Sequence, residues 1–219
     1  TLEHPASMSA MKKWSKNTQR NHIIVEHNDD SGSVDEQAYI KKLTSDVRIV
    51  SIVHTSPVTG MTVDLEKITK EVRNVTPDCI IIVDGIQHSS HGAIDVQKYD
   101  IDGYVVSPYK MFSRHGYGVA WASERLCTLN KEQLADGPFQ NWELGTRDAG
   151  SYATFSDVVD YLDWLGSNFT ESENTRERLE ASSIAIKSHE QELVDLVING
   201  VEDIVGLRNN KKIRIIGNP

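Results

Sequence analysis

Apolar and polar positions fall in blocks along the chain, and each block carries the period of one kind of element. Residues 22–27, "HIIVEH", predict a strand and "NDDSGS" a loop. Ser33 and Glu36 then stand at the spacing of a capping box, which predicts a helix running to about Leu43. Residues 47–54, "VRIVSIVH", are almost continuously apolar, as expected of a strand covered on both faces. "SPVTG" turns the chain, and Leu65, Ile68 and Val72 form a helical stripe that ends before Pro77. "CIIIVDG" predicts another central strand, and residues 103–107 and 116–122 predict two short ones.

Beyond a loop-rich stretch the pattern becomes helical. From Phe155, Val158, Val159, Leu162 and Leu165 share a face, and Gly166 is a stop signal. Thr170 and Glu173 repeat the capping-box spacing before a long helix toward Asn199, and "KKIRIIGNP" reads as a strand beginning. Strands alternating with helices predict an α/β fold of three layers, αβα, with a mainly parallel central sheet.

Composition narrows the classes. The chain of 219 residues is 38% hydrophobic and 25% charged, ordinary for a globular protein. A net charge of −9 argues against nucleic acid and anionic membrane as partners, since both require a concentrated basic surface. No apolar run reaches the ~18 residues of a membrane span. Cys79 lies inside an apolar strand, Cys127 is remote from it, and neither has zinc-type spacing. A cytoplasmic location is the resulting expectation, for a chain that starts without Met.

Chemistry is expected where parallel strands end, because ligands of open α/β sheets bind outside those carboxyl ends. His54, Asp84, Ser107 and Lys110 all fall there. His54 reads equally as a satisfied core histidine. Asp84 closes an unbroken apolar strand, where a carboxylate needs a hydrogen-bonding or cationic partner. Lys110 follows one strand later, and a lysine shielded from water holds its proton less firmly and becomes nucleophilic. Such a pair can bracket a planar cofactor, the acid on a pyridinium nitrogen and the amine joined to an aldehyde as a Schiff base. "HSSH", His88 to His91, lacks a third ligand at suitable spacing, so no metal is expected. Arg114, His115 and Arg147 are candidates to line the site or to sit in solvated loops. A nucleotide-binding fold is disfavoured, because no strand-to-helix turn carries a phosphate-binding glycine pattern.

The ordered series "EHPA", "HTSPVTG", "VDGIQHSSHGAIDV", "DGYVVSPYK" and "WELGTRDAG" resembles the core motifs of class V aminotransferases, the pyridoxal-phosphate enzymes that include cysteine desulfurases and selenocysteine lyases. The resemblance implies that residues 1–169 are a pyridoxal-phosphate-binding large domain lacking its N-terminal part. Residues 170–219 would be a linking helix and the first strand of a truncated small C-terminal α+β domain. By the same resemblance Lys110 forms the Schiff base, Asp84 pairs with the pyridine nitrogen, and Gln87 reaches the phenolic oxygen. His4 would stack on the ring, Ser107 would bind the phosphate, Tyr109 and His91 would lie near the cofactor, and Thr146 would reach the phosphate of a neighbouring subunit. It thus implies a homodimer with shared sites acting on a small amino acid, most nearly a cysteine desulfurase or lyase. An epimerase or aminotransferase of the same family, or a non-catalytic scaffold with this fold, are the alternatives. Two departures bear on that choice. Pro57 stands where the desulfurase branch often has Asn, and Tyr109 where it has His, which removes an acid/base group that works near neutral pH.

Overall fold

A computed structural model of the chain describes residues 2–137, 142–146 and 148–217. Its centre is a sheet of β1 (Ile49–Val53), β2 (Ile80–Asp84), β3 (Gly103–Val106) and β4 (Val119–Ala122), in that spatial order. β1, β2 and β3 are parallel, with Val53 beside Asp84 and Asp84 beside Val105, and β4 returns antiparallel to β3. The fold is therefore the expected mainly parallel αβα class.

Around the sheet stand α1 (Pro5–Thr18), α2 (Glu36–Ile40), α3 (Leu65–Val75), α4 (Glu124–Cys127), α5 (Ala149–Gly166) and α6 (Thr175–Asn199). A two-stranded hairpin, β5 (Gly200–Val201) with β6 (Ile204–Val205), follows. The stripe read from the sequence is what α3 buries: Leu65, Ile68 and Val72 join Ile52, Ile81, Val83 and Tyr104 in the core. Asp64 caps that helix by accepting from the Lys67 N–H at 3.0 Å.

Several boundaries differ from expectation. Asp35, not Ser33, caps α2, and Glu36 turns outward to Lys67 at 2.7 Å. Asn174 caps α6 in place of Thr170, because its side chain lies directly before the first turn and takes the Glu177 N–H. α5 begins at Ala149, six residues early, where Asp148 caps it. α1 was not foreseen: its apolar residues are few, it buries none of them, and its start is marked chiefly by Pro5.

Two predicted strands do not form. Residues 22–27 adopt no helix or strand, and "KKIRII" at 211–216 likewise pairs with nothing as a strand. A β pattern yields a strand when a neighbouring edge reaches it. Residues 21–25 instead face β1 across a groove of about 610 Å³, and Arg214 is held by Asp30.

α5 and α6 form an antiparallel pair at close range. A Cβ at Gly166 would come within 1.9 Å of the Arg178 carbonyl oxygen, so the crossing requires glycine there. Arg178 also bridges to Asp163 at 3.3 Å. This pairing directs α6 back along the molecule toward the end of β2.

Candidate active site

The cleft is assembled at the carboxyl ends of β1, β2 and β3. It has a volume of about 120 Å³, with Asp84, Gln87, Ser107 and Lys110 around it and Pro57 and Ile86 as apolar wall. His4, Thr55 and Tyr109 complete the lining.

Lys110 is placed by a short turn. Pro108, buried and pre-set for the first helical position, starts a 3₁₀ turn over Pro108–Lys110, and the Lys110 N–H bonds to the Ser107 carbonyl at 2.9 Å. The lysine Nζ donates to Gln87 Oε1 at 2.9 Å. Among the described residues no carboxylate lies within ion-pair distance of it. Asp84 is 7% exposed and is satisfied by two neutral donors: Ile86 N–H reaches Oδ1 and Ser7 Oγ–H reaches Oδ2, both at 3.1 Å. Amine and carboxylate thus face one cleft without neutralising each other.

The first residues are pinned across the end of β1. The Ser56 hydroxyl donates to the Leu2 carbonyl at 2.9 Å, and the Val53 N–H donates to Glu3 Oε1 at 2.8 Å. Burial pushes the Glu3 carboxyl above its ordinary value, and its Oε2 is buried without a partner. This anchoring sets His4 at the cleft, where its Nδ1 accepts from the Ala6 N–H at 3.1 Å and caps α1. With Nδ1 used as acceptor, neutral His4 carries its proton on Nε2.

The remaining candidates separate. His91 lies behind Gln87, its Nε2 3.2 Å from Gln87 Nε2 and its Nδ1 2.8 Å from a Glu190 oxygen. His88 turns the other way, to Thr55 at 2.8 Å and the Ala93 carbonyl at 3.3 Å, so the two histidines do not share a ligand position. Tyr109 is 40% exposed and stacks on His115 with ring centroids 4.1 Å apart. Thr146 is exposed and does not line this cleft. Arg114 pairs with Asp148 at 3.6 Å, and Arg147 lies outside the described residues.

Three participants were not legible in the sequence. Ser7 and Thr55 are small polar residues with no signature of their own, and Glu190 sits 99 residues from the histidine it meets.

His54 resolves as a core residue. It is 5% exposed, bonded through Nδ1 to the Tyr104 hydroxyl at 2.8 Å and stacked on His88 at 3.5 Å. Burial, with His88 adding to it, brings its pKa down to about 3. The unfolded chain would take up this proton near pH 6.5, so folding is opposed as pH falls from there toward 3. The loss is up to about 1.4 kcal/mol per pH unit from this one group. His88 is also lowered by burial and acts in the same direction, whereas Glu3 acts in the opposite one. Urea unfolding at pH 6 and pH 4 should show a smaller pH dependence for His54→Gln than for the unaltered protein; equal slopes would contradict the assignment.

A lysine and a buried aspartate thus converge on one cleft at the carboxyl ends of parallel strands in an α/β fold. The family model for aminotransferase class-V matches residues 1–212, and the chain belongs to that family. It is 31% identical over 180 residues to a cysteine desulfurase of Synechococcus elongatus, covering 75% of this chain and 28% of that protein. It is 28% identical over 155 residues to the aminotransferase-like protein FGM3 of Gibberella zeae, covering 69% and 35%. Among solved structures, the apo cysteine desulfurase from Thermococcus onnurineus NA1 superposes with a TM-score of 0.70 at 20% identity, over 89% of this chain and 48% of that one. The cysteine desulfurase CsdA from Escherichia coli gives 0.64 at 22%, over 80% and 45%. These two structures share the fold. The chain spans less than half the length of these relatives.

Among the described residues no helix is long and apolar enough to cross a membrane.

Proposed function

We propose that this chain carries the cofactor lysine and the ring-binding carboxylate of a pyridoxal-phosphate-dependent enzyme acting on a small amino acid, most nearly a cysteine desulfurase or lyase. The observation that carries this reading is the shared cleft: among the described residues Lys110 Nζ has no counter-ion and Asp84 is buried with only neutral donors, and Ser107 lines the same cleft. The donor set fits the group. A carboxylate suits a pyridinium N–H, a primary amine suits an aldehyde, and Pro57 and Ile86 supply apolar contact for a flat ring.

Bound there, pyridoxal phosphate supplies a sink for the electrons released at the substrate Cα. Asp84 holds the charge that keeps the ring nitrogen protonated. Lys110 would hold the cofactor through its amine, and its Nζ, when free, would be the base placed to take the substrate Cα proton. Gln87 orients the lysine, and its amide N–H₂ has a second donor position available for a cofactor oxygen. The likeness to proteins described as cysteine desulfurases favours sulfur chemistry, while Pro57 and Tyr109 depart from that branch.

The cleft, at about 120 Å³, is small beside the several hundred Å³ usual for ligand pockets. We assign the balance of the site to a second subunit, with exposed Thr146 as this chain's contribution in return. Titrating the protein with pyridoxal phosphate tests the proposal. It predicts a visible absorbance band that saturates near one cofactor per chain, and a protein that stays colourless at saturating cofactor would reject it in favour of a scaffold.

A further inference from the structure

Behind the cleft, four side chains form one directed hydrogen-bond series. Lys110 Nζ lies 2.9 Å from Gln87 Oε1, Gln87 Nε2 lies 3.2 Å from His91 Nε2, and His91 Nδ1 lies 2.8 and 2.9 Å from the two oxygens of Glu190. The roles follow from the two ends. An ammonium can only donate, so the Gln87 atom facing it is the carbonyl oxygen and the atom facing His91 is the amide nitrogen, also a donor. His91 Nε2 must then accept, which leaves the ring proton on Nδ1. A carboxylate, an obligate acceptor, is what stands opposite Nδ1.

We propose that Glu190 is a positioning residue for the cleft: by holding the His91 proton on Nδ1 it fixes the Gln87 amide with its oxygen toward Lys110. Glu190 lies on α6, remote from the cleft lining, and acts entirely through His91 and Gln87. Without its carboxylate, the His91 proton is free to occupy Nε2. Gln87 would then meet donor with donor unless its amide turned over, and turning it would set the N–H₂ against the lysine ammonium. The His91 and Glu190 side chains are both 40% exposed, so the pair adds little stability, and its effect is one of direction rather than energy. It also ties α6, which packs along α5, to the residue that orients the lysine.

The effect on the cofactor rests on the function proposed above, whereas the tautomer does not, so the two are read separately. In the ¹⁵N-histidine-labelled protein without cofactor, His91 should show a protonated, pyrrole-like Nδ1 and a pyridine-like Nε2. Glu190→Ala should transfer much of that proton to Nε2, Glu190→Gln, which keeps an acceptor, should restore the original pattern, and Glu192→Ala on the same helix should leave it untouched. Unchanged melting temperatures would separate this from general loosening of α6. Titration with pyridoxal phosphate should then show binding about tenfold weaker for Glu190→Ala, the loss of roughly one hydrogen bond's orientation. A His91 already protonated on Nε2 in the unaltered protein, or a tautomer indifferent to Glu190→Ala, would overturn the proposal. A tautomer that moves with no change in affinity would overturn the link to the cleft. An unaltered protein that takes up no cofactor would reject the function and leave the tautomer assignment standing.

Discussion

Lys110→Ala should abolish the visible absorbance that the protein acquires with pyridoxal phosphate, while the fold and melting temperature stay nearly unchanged. The argument is local. Among the described residues the Lys110 side chain makes one hydrogen bond, to Gln87, and its truncation buries no charge and opens no cavity in the apolar core, of which Lys110 is not a member. Its removal therefore costs little stability, as is usual for a side chain outside the packed interior. The chemical loss is total, because no other described lysine lines the cleft. Lys110→Arg should fail equally, since a guanidinium cannot give up a proton near neutral pH to act as a nucleophile. Retained absorbance in either variant, at wild-type stoichiometry, would remove Lys110 from the role assigned to it.

Asp102→Ala should have the opposite profile, a large loss of stability from a residue that never touches the cleft. Asp102 is fully buried. Its Oδ2 accepts from Arg73 Nη2 at 2.8 Å and from the Ile81 N–H at 2.9 Å, and its Oδ1 accepts from Arg125 Nε at 3.0 Å and the Ser123 hydroxyl at 3.1 Å. One carboxylate thereby fastens the end of α3, the start of β2, the start of β3 and the exit of β4. Arg73 is itself only 11% exposed, so alanine at 102 takes from a nearly buried guanidinium its nearest carboxylate and leaves the Ile81 N–H without that acceptor. Breaking a buried pair in this way costs about 3–5 kcal/mol. For a chain of this size that lowers Tm by roughly 10 °C. Asp100→Asn is the contrast: its side chain is 64% exposed and sits 3.4 Å from the same arginine, and an exposed pair is worth ~1 kcal/mol or less. Equal effects from the two substitutions would show that the buried carboxylate is not what registers these strands. The register matters to the cleft because β2 and β3 carry Asp84 and Lys110 at their far ends.

The contrast between these two residues also shows what the sequence could reveal. Asp84 was legible because a carboxylate closing "CIIIV" has no ordinary reason to be there, and Lys110 because it follows the next strand at the same edge. Asp102 was not, since "DIDG" has the composition of any surface turn and its partners come from three separated segments, at Arg73, Ile81 and Ser123–Arg125. Glu190 is hidden for the same reason, as one acid among several on a polar helix. The parallel strands and α3 were readable because burial imposes an apolar period on them. Residues 22–27 and 211–216 have a β period too, but pattern supplies half of a strand and a paired edge supplies the other half. α1 is the converse case, a helix with almost no buried face, held instead by the His4 cap and by Ser7 on Asp84.

His54 marks the limit of reasoning from strand ends. It follows Val53, the β1 residue that pairs with Asp84, and its N–H donates to the Asp84 carbonyl, yet the Tyr104 hydroxyl and the His88 ring enclose its side chain and burial keeps it neutral. Its neighbour Thr55 is the residue of β1's end that reaches the cleft.

The measurement that bears most directly on this account is the location of the covalently held cofactor. The protein is saturated with pyridoxal phosphate, reduced with borohydride, digested and mapped by mass spectrometry. The account predicts the phosphopyridoxyl group on the peptide that contains Lys110, with exposed lysines such as Lys12 and Lys187 essentially unmodified. Label distributed over surface lysines, with the Lys110 peptide at its unmodified mass, would contradict it.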